Sequence, residues 1–270
     1  MALTSIADLN PDNLEQGLSI LDSVAQRMED QIEAEPGDGN ERAGGIHASE
    51  ISGCQRRLVY SVMDTKRQDK IAFVWRRRFK LGHKIHDMLQ EEFKQLSYSP
   101  EHFTRFTEEV KISPTLQKVA AKWEIHSSCD GVFEIGEKST GTLLLRAGVE
   151  IKSMNPDEFS KLTKPKPEHI EQAHVYMACL DLPMMWFLYF NKGNQNYTKS
   201  NDHRFIVPFN PKLWAELEAR FEIAHNNAYL KQLPDKEESM LCQFCPFSYT
   251  CQPESLNRSR RAEVPRRFIK

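Results

Sequence analysis

A glutamate and a lysine two residues apart carry the clearest chemical signal in this sequence of 270 residues. Glu150 and Lys152 flank Ile151 in a segment rich in apolar residues, which predicts a strand. Because side chains alternate along a strand, the carboxylate and the ammonium are expected on one face, where burial would be costly. A partly exposed ion pair explains these two residues on their own, so a chemical role requires a further partner.

Asp130 is the candidate for that partner. It precedes Gly131 in a segment, residues 123–135, that predicts a strand or a hairpin, with Asp130 at a bend. Two carboxylates and a lysine suit a divalent cation such as magnesium or manganese, which prefers oxygen ligands. Such a cation would activate a water and polarise a phosphoryl oxygen, and Lys152 would stabilise the developing charge. These residues therefore indicate metal-assisted hydrolysis of a phosphodiester.

Two helical pairs extend the candidate site. His83 and His86 lie three residues apart on a predicted helix, so one of them is expected to complete the metal site. Gln172 and Tyr176 lie four apart on another, where both side chains face the same way. Glutamine and tyrosine can bind phosphate, and tyrosine can stack on a base. An ordinary polar helix face explains the second pair equally well.

The cysteines indicate a second kind of site. They are Cys54, Cys129, Cys179, Cys242, Cys245 and Cys251. The N-terminus has no basic segment followed by an apolar one, so a cytoplasmic location is expected, where disulfides rarely persist. The last three cysteines leave one tetrahedral position open, which Cys54 would fill, and four thiolates suit either zinc or an iron–sulphur cluster. Cys129 and Cys179 are expected to be buried hydrophobic residues.

Composition sets broad limits. The chain is 40% hydrophobic and 27% charged, with a net charge of −2 and a pI of about 6.5, as in ordinary globular proteins. The longest apolar stretch, near residues 182–190, is too short to span a bilayer. Net charge neither supports nor excludes nucleic acid. The run Arg76, Arg77 and Arg78 precedes His86 on one predicted helix, and it indicates either a DNA channel or a solvated charged face.

The predicted elements alternate helices with strands. Helices are expected at about 47–63 (with Ser49 as N-cap), 72–96, 167–182 and 211–230, and strands at 106–112, 118–126, 132–135, 142–152, 185–189 and 204–207. This order predicts an α/β or α+β core with a central mixed β-sheet flanked by helices. One more amphipathic helix is expected within residues 1–34, followed by a glycine- and proline-containing linker to residue 45.

The ordered set of motifs resembles a known family. The set comprises Gly82-x3-His86, Asp130-Gly131, Glu150-Ile151-Lys152, Gln172-x3-Tyr176 and the split group of one plus three cysteines. In order and spacing, over residues 47–252, it is similar to the RecB-like branch of the PD-(D/E)xK nucleases. The similarity is greatest to the iron–sulphur subgroup that includes the CRISPR-associated adaptation exonuclease and the AddB nuclease domain. Cys129 stands where the superfamily name has proline, and residues 1–45 have no counterpart.

The resemblance implies a restriction-endonuclease-like fold and a metal-dependent DNA exonuclease acting on single-stranded or frayed ends. It implies metal binding by His86, Asp130, Glu150 and the Ile151 carbonyl, catalysis with Lys152, substrate positioning by Gln172 and Tyr176, and a 4Fe–4S cluster on Cys54, Cys242, Cys245 and Cys251. The cluster would join the two ends of a nuclease domain at 46–256, between an appendage at 1–45 and a basic tail at 257–270.

Several alternatives stay open. An endonuclease or flap nuclease would use the same site, and a non-catalytic iron–sulphur protein would bind DNA without cutting it. Zinc is the alternative to the cluster. The appendage is expected to bind a protein partner or mediate self-association, no membrane contact is expected, and the host would be a bacterium, including one that carries the gene on a phage.

Overall fold

A computed structural model describes residues 44–67, 73–97, 99–193, 204–238, Cys242 and 245–251, with five positions between 23 and 30. For residues 73–76 it describes the backbone alone. The chain divides into two units: residues 73–81 belong to the first, and the described residues 44–67 and 82–251 belong to the second. The five early positions are helical, within the predicted N-terminal helix. The remainder of that helix, the linker up to residue 43 and the predicted tail lie outside the described residues.

From residue 48 onward, seven α-helices and five strands follow one another in the described residues. They are α1 (Gln55–Val62), α2 (Phe73–Lys94), β1 (His102–Ile112), α3 (Lys118–Trp123), β2 (Ser127–Glu137), β3 (Leu143–Met154), α4 (Pro156–Ser160), α5 (Pro167–Leu180), β4 (Met184–Asn191), β5 (Arg204–Pro208), α6 (Pro211–Tyr229) and α7 (Ser248–Cys251). A 3₁₀ turn, Ala48–Glu50, precedes α1. The predicted α/β class is confirmed.

The five strands form one mixed sheet in the order β1-β2-β3-β4-β5. Neighbouring strands are antiparallel except β3 and β4, which run parallel from Gly148↔Met185 to Met154↔Asn191. A parallel pair needs a crossover connection, and α4 and α5 supply it. The strand that carries Glu150 and Lys152 is therefore central, with a neighbour on each side.

Helices cover both faces of the sheet. On one face, Ile85, Leu89 and Phe93 of α2 pack with Val149 and Ile151 of β3. On the other face, apolar residues of α1, α5 and α6 pack with alternate residues of β2 and β4. Burial on both sides explains why β4 reads as a continuous apolar run in the sequence. Glu150, adjacent to Val149 and Ile151 in the strand, points away from the α2 layer and towards α5.

Three sequence predictions about local structure are wrong. The strand expected at 118–126 is the helix α3, which ends where Glu124 adopts a left-handed conformation with φ of 49°. Its alanine pair and flanking lysines favour helix, and this preference outweighs the alternation that indicated a strand. Ser49 does not cap a continuous helix, because it lies in the 3₁₀ turn and Cys54 is the N-cap of α1.

The expected bend at Asp130 is the third error. Asp130 and Gly131 lie inside the uninterrupted strand β2, and the hairpin turn to β3 follows at 138–142. The glycine has a different cause. A Cβ atom at Gly131 would lie 2.3 Å from ring atoms of Phe106, so the aromatic ring of β1 packs where a side chain would be.

No helix in the described part of the chain combines the length and apolar character needed to cross a membrane.

Candidate active site

Glu150 and Lys152 lie side by side on β3, as the alternation of a strand predicts. Oε1 of Glu150 is 2.6 Å from Nζ of Lys152, and the Glu150 side chain is only 2% exposed. The other carboxylate oxygen, Oε2, is buried without a hydrogen-bond partner among the described residues. A buried carboxylate oxygen in this state is costly, so the site holds an acceptor that no described residue satisfies.

The electrostatics of this pair follow from burial. Burial raises the pKa of Glu150 to about 7; the Lys152 ammonium opposes that rise and the Asp130 carboxylate adds to it. Burial also acts to lower the pKa of Lys152, but the neighbouring Glu150 and Asp130 carboxylates outweigh it and the pKa is raised. Lys152 is therefore positively charged at neutral pH. The Glu150 carboxyl group beside it titrates near pH 7.

Helix α5 brings its glutamine and tyrosine to the same place. Nζ of Lys152 donates to Oε1 of Gln172 at 3.2 Å, and Nε2 of Gln172 donates to the Tyr176 hydroxyl at 2.6 Å. Both α5 side chains are buried, and burial raises the pKa of Tyr176 well above its ordinary value, so the hydroxyl stays neutral. The sequence predicted that Gln172 and Tyr176 share a face, and the structure connects them with Lys152 in one hydrogen-bonded chain.

Asp130 and His86 form a second group beside the first. Oδ1 of Asp130 lies 3.4 Å from Nδ1 of His86, and Oδ2 accepts a 2.6 Å hydrogen bond from the backbone N–H of Ile151. Burial acts to lower the pKa of His86, but Asp130 and Glu150 outweigh it and the pKa is raised. His83 is exposed, so His86 is the histidine of α2 at this site. Asp130 thereby links the end of the β2–β3 pairing to α2.

His169 is a further neighbour of the site, and the sequence analysis assigned it no role. Its Nδ1 lies 2.8 Å from the Tyr189 hydroxyl, and the two rings stack with centroids 5.7 Å apart. Burial lowers the pKa of His169 to about 3, assisted by the positive charges of Lys152 and Lys166, so the imidazole is neutral. The spacing from Gln172, three residues on one helix face, was the available signal.

Gln90 and Glu109 are two further residues at the site that the sequence analysis missed. Gln90 contacts the backbone of Asp130, and Glu109 contacts Gln90. Gln90 lies four residues after His86, and this helical spacing was the one available signal.

The four cysteines proposed as cluster ligands line one pocket. Cys54, Cys242, Cys245 and Cys251 share its wall with Arg56, Lys236, Glu237 and Ser248. Cys129 and Cys179 are buried in the core instead, as predicted for small hydrophobic residues. Phe247, between the last two pocket cysteines, is fully buried and packs on Tyr60 at 5.3 Å between ring centroids. The C-terminal cysteine segment thus contacts α1, close to Cys54.

In the described residues, no three His, Cys, Asp or Glu side chains are arranged to hold a metal ion as they stand. Among the arginines predicted to contact DNA, Arg77 and Arg78 are exposed and belong to the first unit. The side chain of Arg76 lies outside the described residues.

Comparison with known proteins gives solved structures alone. No family model and no curated protein matches the chain. A protein called SSO0001 aligns with TM-score 0.46 and 13% identity over 85% of this chain and 96% of its own. An alkaline exonuclease, LHK-Exo from Laribacter hongkongensis, aligns with TM-score 0.47 and 18% identity over 70% of this chain and 90% of its own. LHK-Exo in complex with dAMP gives TM-score 0.45 and 17% identity over 70% and 89% of the two chains.

Proposed function

We propose that this protein is a divalent-metal-dependent DNA exonuclease that acts on single-stranded or frayed ends. One observation carries the hydrolytic part of the proposal: the buried Oε2 atom of Glu150 has no hydrogen-bond partner in the described part of the chain, while Oε1 contacts Lys152. An acidic oxygen kept without a partner beside a lysine is what a metal-assisted hydrolase needs and what a purely structural ion pair avoids. The exonuclease activity and the choice of DNA come from the motif resemblance.

The donor set fits a hard cation. Glu150, Asp130 and His86 supply two carboxylates and an imidazole, with the Ile151 carbonyl as a further ligand, and magnesium and manganese favour this set. When bound, the cation supplies charge neutralisation on the scissile phosphate and activation of water. Asp130 is already oriented for this, because one of its oxygens is fixed by the Ile151 N–H and the other faces His86.

The protein's own residues supply orientation and charge. Lys152 would direct its ammonium at the charge that develops on the phosphate. Gln172 accepts from that ammonium and so fixes its position, and Tyr176 in turn fixes the Gln172 amide. The neutral His169 beside Lys152 adds no positive charge that would compete for the phosphate.

The second part of the proposal is a 4Fe–4S cluster on Cys54, Cys242, Cys245 and Cys251, with zinc as the alternative. It is supported by the position of these four thiols around one pocket, where Cys54 lies near three cysteines that are far from it in sequence. Thiolate sets of this size bind either group. The role would be structural, since the ligands come from the start of α1 and the C-terminal segment and would hold them together.

The test is a cleavage assay. Protein purified without oxygen is incubated with end-labelled linear single-stranded DNA, with and without manganese, beside Glu150→Ala. We expect manganese-dependent shortening that the variant lacks, and the position of the label gives the polarity. Activity persisting in Glu150→Ala, or in Lys152→Ala, would refute the assigned site.

Circular single-stranded DNA separates the remaining alternatives. A strict exonuclease leaves the circle intact, whereas an endonuclease or a flap nuclease with relaxed specificity cuts it. DNA binding without any metal-stimulated product would instead indicate a non-catalytic iron–sulphur protein.

A further inference from the structure

Glu109 has an unusual backbone conformation directly opposite Asp130. The β1–β2 pairing runs up to Glu108↔Gly131 and resumes at Val110↔Cys129, leaving Glu109 and Asp130 facing each other without a register pair. Glu109 has φ of 45°, the left-handed region that glycine tolerates and most other residues avoid. A strained residue in mid-strand persists only where its surroundings fix it, and such residues concentrate at functional sites.

The pairing on the other side of Asp130 is also interrupted. Strands β2 and β3 pair up to Gly131↔Val149, and the register does not continue to Asp130. Here the Asp130 side chain accepts the Ile151 N–H at 2.6 Å. Asp130 itself therefore has no register partner on either neighbouring strand, and its backbone carbonyl is bound by a group outside the sheet.

That group is Gln90 of α2. Its side-chain Nε2 donates to the backbone carbonyl of Asp130 at 2.8 Å and to Oε1 of Glu109 at 3.0 Å. Both partners are acceptors only, so the amide nitrogen must face them. Gln90 is 3% exposed, and the second oxygen of Glu109 accepts from the Ser128 hydroxyl at 2.7 Å. One buried amide thus holds the carbonyl of Asp130 and the side chain of the strained Glu109 together.

We infer that Gln90 is a positioning residue that fixes the backbone of Asp130 and, through it, the direction of the Asp130 carboxylate. The catalytic consequence rests on the proposed nuclease function, but the positioning itself does not. Glu109 has the lesser role of completing the contact from β1. Because Gln90 lies one helical turn after His86, α2 orients both sides of the His86–Asp130 contact.

The experiment compares Gln90→Met, which keeps similar size and removes the donor, with Glu109→Gln, which keeps an oxygen that accepts from Gln90. Exchange of the Ile151 amide is followed at single-residue resolution, because its acceptor is the Asp130 carboxylate. In Gln90→Met, the backbone amide of Ile151 should exchange its hydrogen about tenfold faster than in wild type. Its kcat on linear DNA should fall about 10- to 100-fold with little change in KM. Glu109→Gln should keep the wild-type exchange rate at Ile151, because its side-chain oxygen still accepts from Gln90.

A double variant, Gln90→Glu with Glu109→Gln, covers the case in which Gln90→Met does not fold. In this variant the amide at position 109 donates to the carboxylate at position 90, so the contact between the two positions is kept. The side chain at position 90 no longer donates to the Asp130 carbonyl. It should therefore also speed Ile151 exchange, while the amides of β4 keep wild-type protection. Uniform loosening of β4 along with Ile151 would show a general structural role and overturn the inference.

The two proposals fail separately. Wild-type exchange at Ile151 in Gln90→Met would overturn the positioning role, whatever the cleavage result. Faster exchange at Ile151 in a protein whose wild type cuts no DNA would support the positioning role and refute the nuclease proposal.

Discussion

Nζ of Lys152 lies 2.6 Å from one oxygen of Glu150, while the other oxygen of the same carboxylate is buried and accepts no hydrogen bond from any residue that the structure describes. The pair is therefore poorly explained as a stabilising ion pair. A structural pair gains by satisfying all of its polar atoms, because each unsatisfied one costs stability. The arrangement instead resembles a site in which stability is exchanged for reactivity.

Glu150→Gln should lower the rate of cleavage about 10³-fold or more, without destabilising the protein. The pKa of Glu150 is raised from 4.5 to about 7 in the folded protein. The protonated carboxyl group therefore favours the folded state at low pH, and this contribution to stability is lost as pH rises from about 4.5 to 7. Glutamine cannot ionise, so in EDTA the variant should be at least as stable as wild type above pH 7. Urea unfolding at pH 5 and pH 8 measures this.

The matched control is Glu158→Gln, at an exposed position on α4. It should keep cleavage and change the free energy of unfolding by less than about 0.5 kcal/mol. Clear destabilisation of Glu150→Gln at pH 8, relative to this control, would show that the carboxylate is structural.

Tyr176→Phe should disturb the position of the Lys152 ammonium, because Tyr176 is connected to Lys152 through Gln172 by hydrogen bonds. Loss of the hydroxyl leaves the buried Gln172 amide without the acceptor it reaches at 2.6 Å, so we expect destabilisation of about 1–3 kcal/mol. Cleavage should fall by about tenfold through a lower kcat, because Gln172 positions Lys152. Steady-state kinetics and urea unfolding give the two quantities.

Tyr229→Phe is the control, since that tyrosine is 87% exposed at the end of α6. A double-mutant cycle with Gln172→Met should show coupling of at least about 0.5 kcal/mol between the two α5 residues. Additive effects would mean that Tyr176 does not act on the site through its contact with Gln172.

Contacts between residues close in sequence were predictable at this site, whereas contacts between distant elements were not. The Glu150–Lys152 and Gln172–Tyr176 pairs follow from the periods of a strand and a helix, and both are confirmed as neighbours. The roles of Gln90 and Glu109 were not predictable, because the contacts of Gln90 with Glu109 and with the Asp130 carbonyl join α2 to β1 and β2 across 19 and 40 residues. No local pattern encodes a contact of that kind.

The errors in the predicted fold have a local cause. Lys118–Trp123 contains apolar and polar residues in an order that fits a short strand and a short helix equally, and helix propensity decides the outcome. The expected bend at Asp130 came from the adjacent glycine, but Gly131 is required by the packing of Phe106 rather than by a turn. A glycine within a strand can mark the close approach of a neighbouring group rather than a chain reversal.

Replacing Arg76, Arg77 and Arg78 together with alanine should weaken DNA binding and reduce its dependence on salt. Each lost phosphate contact should lower the slope of log K against log[salt] by about 0.7 for a single strand. Fluorescence anisotropy with labelled single-stranded DNA in EDTA measures binding without cleavage. Alanine at the exposed Lys111, Lys118 and Lys212 removes the same charge and should leave the slope closer to wild type. Equal slopes in the two triple variants would contradict a specific contact.

Single Cys→Ala changes at positions 54, 242, 245 and 251 should each lower the iron and acid-labile sulphide content of protein purified without oxygen. Each removes one thiolate of the proposed set, and an incomplete set holds the cluster poorly. Cys179→Ala is the matched control, because that thiol is buried in the core. Stoichiometric zinc without sulphide in wild-type protein would favour the zinc alternative, and absence of both metals would remove the proposed cofactor.

Glu50 should make the free energy of unfolding depend on pH in the acid range. Its fully buried carboxylate contacts Arg67 at 2.6 Å, Arg57 at 3.1 Å and the Ser61 hydroxyl at 3.0 Å. Burial acts to raise the pKa of Glu50, but the hydrogen bond from Arg67 and the charges of both arginines outweigh it and lower the pKa to about 2.

A carboxylate whose folded-state pKa is depressed stabilises the protein above the unfolded pKa, and this contribution is lost as pH falls through the folded value. Here the window runs from about 4.5 down to about 2, and the contribution at pH 7 is about 3 kcal/mol. Glu50→Gln should therefore be destabilised by that order at pH 7, with a gap to wild type that narrows below pH 4.5. Urea unfolding of both proteins between pH 7 and pH 3.5 tests this, and a gap that stays constant with pH would show that Glu50 contributes through packing rather than charge.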